Sequence, residues 1–391
     1  MIIEQKIKGF ICITAHPAGC EKNVADAALY LAQNEKIDIP GIKNVLVVGA
    51  SAGYGLASAL AASFALGASV IGVALEKDAQ PDRGRTATAG MYNLAAYKEE
   101  AKRQNLSLDI IIGDAFAAET KEKVCKIAGG KIDMLIYSVA APSRTDPETG
   151  VKYSSVLKPQ NREYNSKGID LTSYKLNDMS IAPATEEEIA GTVKVMGGED
   201  LALWVDVLTV NGLLKEDAIV ISYSYIGPPV TREIYYNGSV GAAKRHLKST
   251  SDSLNKLYKI KSYVSVNKAL VTQSSAAIPV LPLYISILFK VMKEKGLHEN
   301  CIQQIYRLFK KLQAGENLTD ENGYIRLDDF EMRPDVQAEV AVRWDQITDG
   351  NMGELADLEG FRKDFLAIFG FGLDGVNYGA DVNTDAGKFY C

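Results

Sequence analysis

The chain has 391 residues, 47% of them hydrophobic, and a formal net charge of −6. That length and apolar content allow a sizeable core, while basic residues dispersed among a larger number of acids leave no phosphate-tracking stripe, which argues against nucleic acid as a partner. The five cysteines (Cys12, Cys20, Cys125, Cys301 and Cys391) form no C-x-x-C pair and fit reduced thiols in a cytoplasmic protein better than a disulfide framework.

Residues 1–42 read as an N-terminal extension: a short strand, the loop HPAGC at 16–20, and a helix over 25–32. Glu4, Lys6 and Lys8 interrupt the first ten residues, so no signal peptide is expected there. His16 and Cys20 have no second His/Cys pair nearby, and no metal site is expected.

Residues 43–64, KNVLVVGASAGYGLASALAASF, organise the rest of the chain. The apolar run 45–48 has the character of a parallel strand buried on both faces, and it empties into a glycine turn and then a helix. Gly49, Gly53 and Gly55 let the turn, with Ala50, Ser51, Ala52 and Tyr54, bring bare N–H groups and a helix N-terminus against a pyrophosphate. The next strand, 69–75, ends at Leu75 and Glu76, where a dinucleotide-binding unit places an acid on the adenosine ribose. A Pro- and Gly-punctuated loop leads to a helix over 92–104. The third strand, 106–112, ends at Asp114 and Ala115, positioned for the adenine edge, with helix capping the alternative role of Asp114. The fourth, 132–139, leads through Val139 and Ala140 into small residues that allow close approach of a cofactor.

Residues 142–186 are polar and turn-rich, the mark of a surface insertion. Helical periodicity returns over 186–214. The fifth strand, 218–223, has Tyr225 just past its carboxyl end, where open α/β sheets bind ligands. A helix over 239–258 and a sixth strand, 263–271, come next, with Thr272 at the tip. The segment 278–289 is broken by Pro279 and Pro282 and stops at Lys290, short of the ~20 apolar residues of a membrane span. Ile285, Leu288, Phe289 and Met292 then form one apolar helical face. It serves either the core or an acyl-chain pocket lined by Ile285 and Phe289. A calcium loop around Gly323 fails in register, and Asn322-Gly323 reads as a hairpin turn. The acidic tail is expected to cover a sheet edge. The whole is one α/β domain, 1–391: a Rossmann-like, doubly wound parallel sheet of the short-chain-dehydrogenase type, with a surface insertion at about 142–186 and a C-terminal cover at about 315–391.

A reductase on this scaffold needs a donor for the oxygen that gains charge when hydride arrives. Tyr235 and Lys244 supply a tyrosine and a cation in a Y-x8-K arrangement, and a lysine beside the phenol would lower its pKa. The shorter Y-x3-K spacing, Tyr306 and Lys310, lies on a helix that reads as packing and surface.

Several blocks give the chain a family likeness: HPAGC, GASAGYG at 49–55, GDAF at 113–116, VMGGED at 195–200, YSYIGP at 223–228, VSVNKALVTQSSAAIP at 264–279, PLYISILFKVMKEKG at 282–296 and GFGLDGVNY at 370–378. With the Y-x8-K pair they resemble the trans-2-enoyl-CoA reductases and FabV-type enoyl-acyl-carrier-protein reductases over nearly the whole chain. The resemblance implies NADH as cofactor and an enoyl thioester, on coenzyme A or acyl-carrier protein, as substrate. It makes Tyr235 the proton donor, gives Lys244 the nicotinamide ribose, and puts Tyr225 on the thioester carbonyl. It assigns Leu75 and Glu76 to the adenosine ribose, and Asp114 and Ala115 to the adenine. Val139 and Ala140 go to the middle of the cofactor, and Ala269, Leu270, Val271 and Thr272 to the nicotinamide end. Met91 stands where the family commonly has tryptophan. The rival readings are a ketone-reducing short-chain dehydrogenase and a non-catalytic NADH sensor.

Overall fold

Seven parallel strands lie side by side, and the order in which the chain lays them down opens the ligand cleft. The computed structural model describes all residues except 10, 172, 174, 388, 390 and 391, so Cys391 lies outside the described residues. The strands are β1 (Asn44–Val48), β2 (Ser69–Ala74), β3 (Leu108–Ile112), β4 (Ile132–Tyr137), β5 (Leu214–Ser224), β6 (Lys261–Val266) and β7 (Tyr324–Arg326). Their spatial order is β7-β6-β5-β4-β1-β2-β3. The chain builds outward from β1 to β3, returns to the other side of β1 at β4, and builds outward again. The crevice beyond the carboxyl ends of β1 and β4 is therefore the switch point where such sheets bind ligands.

Helices cover both faces, which is why β1 is apolar without alternation. Val45 and Val47 pack with Leu60 and Phe64 of α2 (Gly53–Phe64), and Leu46 and Val48 pack on the opposite face with Leu201 and Trp204. All four valine and leucine residues of that run are fully buried.

The structure corrects several expectations. HPAGC is not a loop: His16 is the N-cap of α1 (Pro17–Gln33), its Nδ1 accepting from the Gly19 N–H, and Pro17 takes the first turn, where a missing N–H costs nothing. A Cβ on Gly19 would lie 1.7 Å from the Gly370 oxygen. The HPAGC and GFGLDGVNY blocks are thus two halves of one packing contact, with the His16 ring edge-on to Phe371 and Tyr378. Residues 142–186 hold two antiparallel hairpins, Ser143–Thr145 with Lys152–Ser154 and Tyr164–Ile169 with Leu176–Ile181, anchored by the buried Arg144 and Tyr164.

The single helix expected over 186–214 is two, α5 (Glu186–Met196) and α6 (Glu199–Val210). The break at Gly197-Gly198 is forced by close packing on α7 (Ser239–Leu257), because a Cβ on Gly198 would lie 2.2 Å from the Thr250 hydroxyl. The turn at Asn322-Gly323 exists, with Gly323 at φ +74°, but it closes no hairpin. The chain leaves it as β7, parallel to β6, so the C-terminal region completes the sheet as well as covering it. No helix among the described residues is long and apolar enough to cross a membrane.

Candidate active site

A cavity of about 450 Å³ occupies the switch point. Its floor is the glycine turn. Gly49 has φ +92°, and a Cβ there would lie 2.1 Å from the Ser138 oxygen, while one on Gly55 would lie 1.9 Å from the Gly49 oxygen. Only glycine permits that double approach of β1, β4 and α2. Ala52, the N-cap of α2, offers no side-chain cap, so the first amides of the helix keep their hydrogen-bonding capacity for an anion in the cleft. The turn thus fits a dinucleotide pyrophosphate.

Most of the expected cofactor residues line this one cavity: Gly49, Ser51, Ala52, Gly53 and Tyr54 at the turn, Leu75, Asp114 and Ala115 at the tips of β2 and β3, Val139 and Ala140 after β4, and Ala269, Leu270 and Thr272 after β6. Tyr225, Tyr235 and Lys244 join them. Ala50, Glu76, Val271, Ile285 and Phe289 are not among the lining residues. Ile285 and Phe289 are fully buried on α8 (Leu281–Glu294), packed in the core with Phe361 and Phe365, while Ile278 and Leu281 at the start of that segment reach the cleft instead. Tyr306 and Lys310 lie elsewhere, bonded to the Glu35 carbonyl and carboxylate. Among the described residues no group of three His, Cys, Asp or Glu could hold a metal ion.

At the end of the cleft where β5 and β6 stop, the Tyr225 and Tyr235 rings meet edge-on, centroids 5.0 Å apart. The expected Lys244 assistance to Tyr235 is not what the structure contains. The Lys244 ammonium donates to the Tyr223 carbonyl at 2.9 Å, burial lowers its pKa to about 8, and burial pushes the Tyr235 hydroxyl upward with no compensating cation. Among the described residues the Tyr235 hydroxyl makes no hydrogen bond within the chain. Lys268, a buried cleft residue not expected from the sequence, is likewise lowered to about 8 by burial, with Glu331 and Glu299 opposing.

The opposite end rests on a buried network that the sequence did not single out. Lys121 on α4 (Ala118–Ile127) donates to the Ala115 carbonyl at 2.8 Å and pairs with Asp200 of α6 at 2.8 Å, and Tyr137 donates to the other Asp200 oxygen at 2.9 Å. Both ions are almost fully buried, and burial opposes ionisation of each while their contact favours it. This gives the VMGGED block a physical role: its glycines break the helix so that Asp200 can reach the loop carrying Asp114 and Ala115. Asp114 caps no helix; its carboxylate accepts from the Phe116 N–H, and the N-cap of α4 is Ala117.

Glu76 turns partly away from the cleft. Burial raises its carboxyl pKa, the nearby Ser51 and Thr88 hydroxyls oppose this, and a Cβ on Gly90 would lie 2.0 Å from its Oε1. The carboxylate therefore sits against the N-terminal end of α3 (Ala89–Arg103), one hydroxyl from the cavity wall. A 2′-phosphate brought to ~4 Å from it would be repelled by about 1 kcal/mol in water and about 4 at an effective dielectric of 20. Glu76→Ala is expected to raise kcat/KM with NADPH relative to NADH at least ~10-fold. An unchanged ratio in that assay would reduce Glu76 to an anchor of α3.

Residues 2–81 match the family model described as the NAD(P)H binding domain of trans-2-enoyl-CoA reductase, and residues 85–313 match the trans-2-enoyl-CoA reductase catalytic region. The chain belongs to the trans-2-enoyl-CoA reductase family. It is 50% identical to the enoyl-[acyl-carrier-protein] reductase [NADH] of Flavobacterium johnsoniae, covering 98% of each chain. It is also 50% identical to the trans-2-enoyl-CoA reductase [NADH] of Clostridium perfringens, over 98% of this chain and 99% of that one. The crystal structure of the Clostridium acetobutulicum trans-2-enoyl-CoA reductase in complex with NADH superposes with a TM-score of 0.93 at 42% identity, covering 98% of both chains.

The three matched segments share one sheet: the first holds β1 and β2, the second β3 to β6, and the third, residues 319–382, holds β7. That third segment is described as an enoyl reductase FAD binding domain, and its residues do not fit a flavin dinucleotide. None of them lines the cleft. After β7 the amides of Leu327, Asp328, Phe330 and Met332 all donate within the chain, so the turn lacks the bare N–H groups that an anion site needs.

Proposed function

We propose that this protein reduces the 2,3 double bond of trans-2-enoyl thioesters, carried on coenzyme A or acyl-carrier protein, with NADH, and that the whole chain acts as one reductase domain in the cytoplasm. The observation that carries the reading is the unpartnered Tyr235 hydroxyl in the same cleft as the glycine turn and Lys244. The two relatives at 50% identity, one named for each carrier, support both carriers equally. The four described cysteines are free thiols, which supports the cytoplasmic reading.

When bound, NADH supplies the hydride delivered to the β-carbon of the thioester. The protein supplies geometry and charge. The amides at the start of α2 hold the pyrophosphate, Leu75 and Glu76 flank the adenosine ribose, Asp114 and Ala115 border the adenine, and Val139 and Ala140 border the middle of the cofactor. The segment 269–272 and Lys244 hold the nicotinamide end. Tyr235 donates a hydrogen bond to the thioester oxygen as it becomes an enolate, which is worth most in a water-poor cleft, and a proton from solvent then added at the α-carbon completes the saturated thioester. Oxidation of NADH by the purified protein on addition of crotonyl-CoA is the direct test. Turnover of ketones instead, or cofactor binding without turnover, would reject the proposal.

Two further results are expected. Lys244 is charged below its pKa of about 8 and loses its proton as pH rises, so kcat/KM for NADH should fall as pH rises through about 8. Lys244→Arg, which keeps a cation, should abolish that limb, and a limb that survives would trace to Lys268. Replacing Ile278 by Ala enlarges the cleft wall and should shift relative kcat/KM toward longer enoyl chains. Phe289→Ala should leave chain-length preference alone and cost about 3–5 kcal/mol of stability as a core truncation. The reverse pattern, in kinetics and thermal unfolding, would restore the acyl-pocket role for the stripe on α8.

A further inference from the structure

Three elements end at the nicotinamide side of the cleft, and one carboxylate joins them. Glu331, fully buried after β7, accepts through Oε1 from Tyr225 past β5 at 2.9 Å and from Tyr284 of α8 at 2.7 Å. Its Oε2 accepts from the Ala269 amide past β6 at 2.7 Å. The amide can only donate, so Oε2 is an acceptor; burial raises the Glu331 pKa, the Tyr284 and Ala269 hydrogen bonds and the Lys268 charge oppose it, and three donors converging on two oxygens fit an ionised carboxylate, which accepts and never donates. Gln337 donates to the Tyr284 oxygen at 3.2 Å and to the Glu331 carbonyl at 2.7 Å, so the single Tyr284 proton is directed to Glu331. The same reasoning consumes the single proton of Tyr225.

We propose that Glu331 is a positioning residue that fixes Tyr225 as a hydrogen-bond acceptor, so that Tyr235 is the one phenol of this pair with a proton to give to the substrate oxygen. The proposal rests on the reading of the protein as an enoyl thioester reductase, and it divides labour between two tyrosines whose rings touch. Tyr225 presents lone pairs to the cleft and holds the edge of the Tyr235 ring; it is not a second donor to the enolate. It also gives the segment 319–382 a part in the chemistry that needs no flavin.

The test is a double-mutant cycle on kcat with NADH and crotonyl-CoA: Glu331→Ala and Glu331→Gln, each made in the wild-type and in the Tyr225→Phe background. If Glu331 acts through Tyr225, each substitution lowers kcat at least ~10-fold in the wild-type background and no more than ~3-fold once the Tyr225 hydroxyl is gone. Equal losses in both backgrounds would mean that Glu331 only supports the fold, and would overturn the proposal. Glu331→Gln carries the cycle if Glu331→Ala does not fold: it keeps the volume, but one carbonyl oxygen cannot serve three donors that now share two. A wild-type protein that leaves NADH unoxidised would sink the functional reading and this inference with it. An active wild type with additive losses would sink this inference alone.

Discussion

Tyr235→Phe is expected to lower kcat at least ~10²-fold, the scale of losing one oxyanion donor, with NADH affinity changed no more than a few-fold. Burial pushes the Tyr235 hydroxyl above its ordinary range, so it stays neutral at physiological pH and acts by donating a hydrogen bond to the developing enolate. A neutral donor needs no neighbouring cation to lower its pKa, which agrees with Lys244 donating to the Tyr223 carbonyl. The ring remains in the phenylalanine variant, so the edge-on contact with Tyr225 and the cleft shape are kept. Steady-state kinetics and a fluorescence titration of NADH check the two halves of the prediction. Activity within a few-fold of wild type would remove Tyr235 from the reaction and return Tyr225 to candidacy.

Asp200→Ala is expected to cost about 3–5 kcal/mol in denaturant unfolding, because it leaves the Lys121 cation buried without a partner. The pair is 2.8 Å apart with both side chains almost wholly out of water, and Tyr137 would lose its acceptor as well. Lys121 also holds the Ala115 carbonyl, so the effect should reach function as a higher Kd for NADH. Replacing both ions, Lys121→Met with Asp200→Leu, should recover much of the stability, since the cost lies in the uncompensated charge rather than in the absence of a pair. It should not recover NADH affinity, because the carbonyl that Lys121 holds is then free. A loss below about 1 kcal/mol for Asp200→Ala would show that Lys121 finds water or another acceptor.

The parallel sheet, the glycine turn and the two-faced burial of β1 were legible because each is a local pattern. A continuous apolar run, a glycine cluster and a following helix depend on residues within one short stretch, and periodicity reports them directly. The strand ends that carry Leu75, Asp114 and Tyr225 were found the same way, and these residues line a common cavity; Thr272 lines it too, but as the N-cap of the short helix Gln273–Ala276, because the sixth strand stops at Val266 and not at 271. The seventh strand was missed because three residues in a parallel pairing carry no alternation of their own; Tyr324–Arg326 is a strand only because β6 lies beside it. The break between α5 and α6 was missed because Gly197-Gly198 reads as a tolerable interruption until Thr250 is seen pressing on it.

Local pattern was enough to read an α/β dinucleotide-binding reductase, the residues that make its glycine turn, and the family the chain resembles. Where the side chains point and what they share emerged from the folded chain. Glu76 faces α3 and Ser51, Ile285 and Phe289 face the core, Lys244 faces the Tyr223 carbonyl, and Glu331 collects donors from three elements far apart in the chain. The reason is physical: a buried polar group must find partners wherever folding brings them, and the spacing of residues along the chain does not encode distances across a packed interior.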